Sequence, residues 1–215
     1  GLDGVGDNLL SIVYAENEGS FLAGYVAMKV SANACVGVVA AEDSETINNF
    51  VVGYRQGALY ANPEGKVLDP VYTDGDYDSP DKGKEAALSL FGQGADVVYQ
   101  VAGKTGLGVF EAAKEQGQYA IGVASDQKSI APETIICSMI KDAGGSVYEA
   151  IANYIEDGAF DGGAIWEADM ASGYVQLGFG DDSMPQQVSN ELKDEVQALA
   201  EQIIDGEIVV ESTRN

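Results

Sequence analysis

VVYQVAGKTGLGVFEAAKEQGQYAIGVASD, residues 97–126, reads as one β-α-β unit. Val97, Val98 and Tyr99 suit a buried strand. The loop Gly103-Lys104-Thr105-Gly106-Leu107-Gly108 follows, and Val109, Phe110, Ala112 and Ala113 then recur at helical spacing. Ile121-Gly122-Val123 makes a second strand, ending in Ala124-Ser125-Asp126. Ligands of open parallel sheets sit at the carboxyl ends of strands, so this unit points to a small-molecule site. Gly103-Lys104-Thr105 looks like the end of a phosphate-binding loop, but that motif needs a glycine at position 98, where Val98 stands. The spacing Gly103-x-x-Gly106-x-Gly108 also reverses the dinucleotide fingerprint. A tight strand-to-helix turn without a ligand is the plain alternative.

The same reading extends in both directions. Strands are expected at residues 9–14, 35–40, 66–72, 134–140 and 174–178, and helices at 19–30, 45–60, 81–91, 145–154 and 189–204. Ser79-Pro80 supplies an N-cap followed by proline at the first helical position. Regular alternation implies an α/β fold with mainly parallel sheets flanked by helices. Asp74, Asp76, Asp78 and Glu85 fall on calcium-loop spacing, but Ser79 stands where the loop needs glycine and Pro80 follows it. A solvated acidic turn leading into a helix accounts for them, and no metal or cofactor is expected.

Composition narrows the chemistry. The 215 residues carry 11 basic against 35 acidic side chains, a net charge of −24, which disfavours nucleic acid and anionic membranes. There is no histidine, so Ser-His-Asp and Cys-His catalysis and histidine-ligated zinc are excluded. Cys35 and Cys137 lie in apolar strand-like runs and read as small buried hydrophobes. No run approaches membrane-spanning length, and no signal peptide is visible.

Four segments then occur in one order: EGSFLAGYVA (residues 18–27), NFVVGYRQGA (49–58), SPDKGKEAALSLFGQGADVVYQVAGKTGLGVFEAAKEQGQYAIGVASDQ (79–127) and TIICSMIKD (134–142). Together they resemble the basic-membrane-protein family of bacterial substrate-binding lipoproteins, the purine-nucleoside receptors of ABC importers. The resemblance implies a type I periplasmic-binding architecture, two lobes clamping a ligand. On that template residues 1–14 are a hinge-entry remnant of the N-terminal lobe and 15–131 the complete C-terminal ligand-binding lobe. Residues 132–215 are the hinge return and the rest of an N-terminal lobe that is otherwise truncated. A C-terminal fragment is therefore expected, with apolar faces after residue 141 in need of cover.

The resemblance also implies site residues. Phe50 matches an aromatic that stacks on a purine, a contact worth about 0.5–1.5 kcal/mol beyond burial, although it could equally anchor its helix to the sheet. Gly103, with Lys104 and Thr105, would bring backbone N–H groups to the sugar, and Lys104 reaches either the ligand or solvent. Lys141 matches a lysine that donates to ribose hydroxyls; the alternative is a surface ion pair. Ala124 stands where the family has a ribose-gripping aspartate, and Asp126, two residues on, is the remaining acidic candidate. The lost charged hydrogen bond corresponds to roughly tenfold to a hundredfold in affinity, or to a change of ligand.

The function implied is capture of a nucleoside-like solute outside the cell membrane for an ABC permease. No nucleic acid is involved, and membrane attachment is only through a lipid anchor outside this sequence. A regulatory or adhesive relative with altered ligand specificity, and a nucleoside-acting hydrolase, are the alternatives.

Overall fold

The structure, a computed structural model, describes residues 6–158 and 160–214. In chain order it runs β1 (Ser11–Tyr14), α1 (Glu16–Val30), β2 (Cys35–Ala40), α2 (Glu45–Ala61), β3 (Lys66–Val67), β4 (Val71–Tyr72), α3 (Pro80–Gly92), β5 (Val97–Val101), α4 (Leu107–Gln116), β6 (Tyr119–Ala124), β7 (Ile135–Lys141), α5 (Ala143–Asp157), β8 (Ile165–Ala168), β9 (Val175–Gly178) and α6 (Asn190–Ile204). Short 3₁₀ turns occupy Gly103–Gly106 and Lys128–Ile130.

Period-two alternation builds the main sheet. In β2, Val36, Val38 and Ala40 enter one core while Cys35 and Val39 enter the other; in β5, Val97, Tyr99 and Val101 share the first and Val98 the second. Both faces are apolar, as a helix-covered parallel sheet requires. The first core also takes Phe21 of α1 and Phe50 and Tyr54 of α2; the second takes Leu90 of α3 and Phe110 of α4. The seven strands run in the order β3-β2-β5-β6-β7-β9, with β4 also on β2. All pairings are parallel except that of β9 with β7. The single strand expected over residues 66–72 is two short ones, separated by Leu68-Asp69-Pro70, where proline offers no N–H to a ladder.

A separate two-stranded parallel sheet pairs β1 with β8, a strand that the sequence reading did not anticipate. The chain passes between the two sheets at Tyr14–Glu16, after Lys141 and between β8 and β9. Ala15 N–H donates to Ala168 O, Asp142 N–H donates to Tyr174 O, and Met170 N–H donates to the Glu18 carboxylate, so these passages are tied together.

Residues 135–141 form β7, the strand expected over 134–140, between β6 and β9 of the main sheet. Farther along the chain, β9 pairs with β7, and α6 buries Val196, Leu199 and Ile203 in the first core. Between them, β8 pairs with β1 in the small sheet. On α5, Val147, Tyr148, Ile151, Tyr154 and Ile155 recur at helical spacing and are exposed, Tyr148 at 75 % and Ile155 at 73 %.

Candidate functional site

The polar loops gather at the carboxyl edge of the main sheet. Two helices fix the nearby side chains. At their crossing, a Cβ on Gly53 would lie 2.1 Å from Asn17 O, and one on Gly57 would lie 1.9 Å from Phe21 O. Only glycine lets α2 come this close to α1. The approach sets Asn49 and Phe50 of α2 beside Glu16 and Asn17 of α1, and Asn49 Nδ2 donates to Glu16 Oε2 (3.2 Å) and to Asn17 Oδ1 (3.2 Å).

Lys141, the last residue of β7, reaches this junction. Its Nζ lies 3.4 Å from Glu16 Oε1 and 5.2 Å from the ring centroids of both Phe50 and Tyr14. Arg214 Nη1 lies 2.8 Å from the other Glu16 oxygen and donates to Tyr14 O (2.5 Å). Glu16 is 2 % exposed, so its charge is held out of water by two cations, an amide and the start of α1. Tyr14 Oη and Ser146 Oγ, 2.6 Å apart, link the same point to α5.

The other expected residues take separate positions. Gly103 has φ +57°, a conformation that favours glycine, and opens the 3₁₀ turn after β5. The Lys104 ammonium pairs with Asp78 at 2.6 Å, both side chains well exposed. Thr105 is fully buried; its hydroxyl donates to Asp76 O (2.8 Å) and accepts from Ser79 N–H (2.8 Å). That hydroxyl braces the acidic turn before α3. The Asp76 carboxyl is lowered first by Lys82 and then by the Asp78 N–H, the local pairing expected of a solvated turn. Asp126 accepts from Lys128 N–H (3.0 Å) and from Gly180 N–H (2.9 Å), fastening the loop after β6 to the segment after β9. Lys128 reinforces this fastening. It is buried, its ammonium is pushed down by desolvation, and it donates to Ile135 O (2.7 Å) and Gln187 Oε1 (2.6 Å).

Below these loops, Gln127 Oε1 accepts from Gln100 Nε2 (2.7 Å) and Val123 N–H (2.8 Å), while Gln127 N–H donates to Ser138 Oγ (3.0 Å). One network thus joins β5, β6 and β7. A Cβ on Gly106 would sit 1.8 Å from Gln100 Oε1, which accounts for the second glycine of the loop. Ala124 is exposed and has φ +68°, strained for an alanine, at the end of β6.

Of the six expected residues, the structure brings Phe50 and Lys141 together. Phe50 is 4 % exposed, with Lys141 beside its ring. Tyr14, Glu16, Asn49 and Arg214 complete the cluster and were missed by sequence reasoning. Arg214 had a signal: it is one of only two arginines in an acidic chain. Glu16 had another, as an acidic residue at a strand-to-helix turn.

A main parallel sheet, linked by several passages to a second sheet, is the type I periplasmic-binding architecture. Solved structures agree. One described as an ABC transporter system solute-binding protein from Aeropyrum pernix K1 superposes with a TM-score of 0.83 at 27 % identity, over 97 % of this chain and 68 % of that one. One described as a transcriptional activator of the comK gene from Bacillus halodurans gives 0.79 at 26 %, over 94 % and 68 %. The chain belongs to the Bmp family, ABC transporter substrate-binding protein PnrA-like, whose model matches residues 2–214. That family comprises substrate-binding proteins, not enzymes. Basic membrane protein C of Borreliella burgdorferi (strain ATCC 35210) is 37 % identical over 94 % of this chain and 57 % of its own length. Basic membrane protein A of the same strain is 32 % identical over 99 % and 61 %. The chain therefore spans about three-fifths of the length of these curated relatives.

Proposed function

We propose that this chain is the solute-capturing part of an extracytoplasmic receptor for an ABC importer, and that the solute is nucleoside-like. The observation that carries the reading is the pairing of Phe50 with Lys141: a flat apolar ring and an ammonium 5.2 Å from its centroid, at the edge where a parallel sheet receives ligands. An aromatic face takes a planar base, and an ammonium donates to sugar hydroxyls. Family membership supports the transport role. A lipid anchor outside this sequence is the proposed membrane attachment; among the described residues no helix is long and apolar enough to cross a membrane.

Gly103 and its turn would approach the sugar through backbone N–H groups, and Ala124 leaves the loop after β6 without a carboxylate at that position. Lys104, Thr105 and Asp126 already have partners in Asp78, Asp76 and Gly180, so the proposal gives them a supporting part at the rim. Binding would shift the balance between open and closed arrangements of the two sheets, with no covalent step. A regulatory role for the same solute-binding fold is the second reading, favoured by the structural likeness to the protein described as a transcriptional activator.

The test is isothermal titration of nucleosides, deoxynucleosides and free bases. Saturable binding of a nucleoside, lost in Lys141→Ala, supports the reading; binding of none overturns it.

A further inference from the structure

The geometry points to Arg214 as a positioning residue for Lys141, carried to the site by residues 209–214, which form a strap along α2 from Gln56 to Glu45. The strap is fastened along its length. Gln56 Nε2 donates to Val209 O (3.0 Å) and Glu211 N–H donates to Gln56 Oε1 (2.7 Å). Asn17 Nδ2 donates to Val210 O (3.3 Å), and the Ser212 hydroxyl and Thr213 N–H both meet Asn49 Oδ1, at 3.0 and 3.2 Å. Thr213 Oγ1 donates to Glu45 O (2.7 Å). These contacts deliver the Arg214 guanidinium to Tyr14 O and Glu16 Oε2.

The consequence lies in how Glu16 divides its charge. Arg214 takes one oxygen at 2.8 Å, whereas Lys141 approaches the other only to 3.4 Å and keeps its place by the rings of Tyr14 and Phe50. A carboxylate this buried will draw in whatever cation is within reach. With Arg214 in place, its demand is met by the nearer cation and Lys141 remains beside Phe50, held by ring faces that favour an ammonium. Without Arg214, Lys141 is the one remaining cation in contact with Glu16 among the described residues, and the ammonium moves off the ring.

The inference rests on the reading of Lys141 and Phe50 as ligand-facing groups, and it can fail separately from that reading. The experiment compares this chain with Arg214→Ala, Arg214→Lys and Gln56→Ala. The last loosens the strap at its far end while leaving the guanidinium. The first readout needs no ligand: the Lys141 ε-methylene NMR resonance, shifted by the ring currents of Phe50 and Tyr14. The expected result is loss of that shift in Arg214→Ala, retention in Gln56→Ala and partial retention in Arg214→Lys. The second readout is affinity for inosine and adenosine, expected to fall about tenfold in Arg214→Ala alone. An unchanged Lys141 resonance in Arg214→Ala overturns the inference, as does an equal change in Gln56→Ala, which would make Arg214 only a strap fastener. Absence of nucleoside binding by the parent chain, with the resonance behaving as expected, overturns the nucleoside reading and leaves the positioning intact.

Discussion

The Lys141 ammonium at the end of β7 lies 3.4 Å from the Glu16 carboxylate at the start of α1, and 125 residues separate the two in sequence. The pair joins the main sheet to the passage from the small one. It also places the Lys141 ammonium, the proposed ligand contact, against a buried carboxylate, so on that proposal fold stability and the site depend on the same few atoms.

Glu16→Gln keeps the shape and removes the charge. Lys141 and Arg214 would then face each other across a neutral amide. Both cations are partly exposed, with side chains at 23 % and 27 %, so water compensates part of the loss. The expected cost is about 1–3 kcal/mol, measured by urea unfolding. No change in midpoint would show that the cluster contributes nothing to stability.

Tyr54 is a different case. Its ring stacks on Tyr99 at 5.3 Å in the first core, but among the described residues its buried hydroxyl has no hydrogen-bond partner. Burial therefore pushes its ionisation well above the ordinary range. Removing an unsatisfied hydroxyl while keeping the ring should help. Tyr54→Phe is expected to stabilise by about 1 kcal/mol, raising Tm by roughly 2–4 °C in calorimetry. A fall in Tm would mean that the hydroxyl does have a partner.

Gly53→Ala tests the helix crossing that sets Phe50 beside Glu16. The new methyl would meet Asn17 O and force α2 away, at a cost of about 1–3 kcal/mol. Gly92→Ala, at the end of α3 with nothing within 4 Å, is the matched control and should stabilise by about 0.5–1 kcal/mol. Chemical denaturation of both variants separates steric crowding from a general effect of alanine.

Glu18 supplies a pH dependence. Burial raises its carboxyl above the usual range, with Asp169 and Glu167 adding to the rise and the Met170 N–H opposing it. Between its unfolded value and its higher folded value, the folded state binds more protons than the unfolded chain. Its contribution to stability is therefore full below the unfolded value and lost as pH rises through the folded one. Glu18→Gln retains an acceptor for Met170 N–H. Urea midpoints from pH 4 to pH 7 should show the parent losing more stability than the variant as pH rises. Parallel curves would contradict this.

The main sheet was legible because local pattern and global fold agree there. Alternating valines in β2 and β5, the Ser79-Pro80 start of α3 and the glycine loop before α4 each carry their signal within a few residues. What the sequence left unread lies where local pattern is silent. β8 is only four residues long, and its apolar Ile165 is exposed while the small Ala168 is the buried one, so side-chain type does not mark its inner face. Phe50 and Lys141, the two residues of the cluster that the sequence pointed to, came from family resemblance. Glu16 and Arg214 depend on a meeting across 198 residues, which no spacing rule encodes.

The most direct test of the account is calorimetric titration of inosine and adenosine into the parent chain and into Phe50→Leu, with unfolding midpoints measured on both. The account predicts saturable binding that weakens about tenfold in Phe50→Leu, while stability changes by less than about 1.5 kcal/mol. Equal affinity in the two proteins, or no binding to the parent, would contradict it.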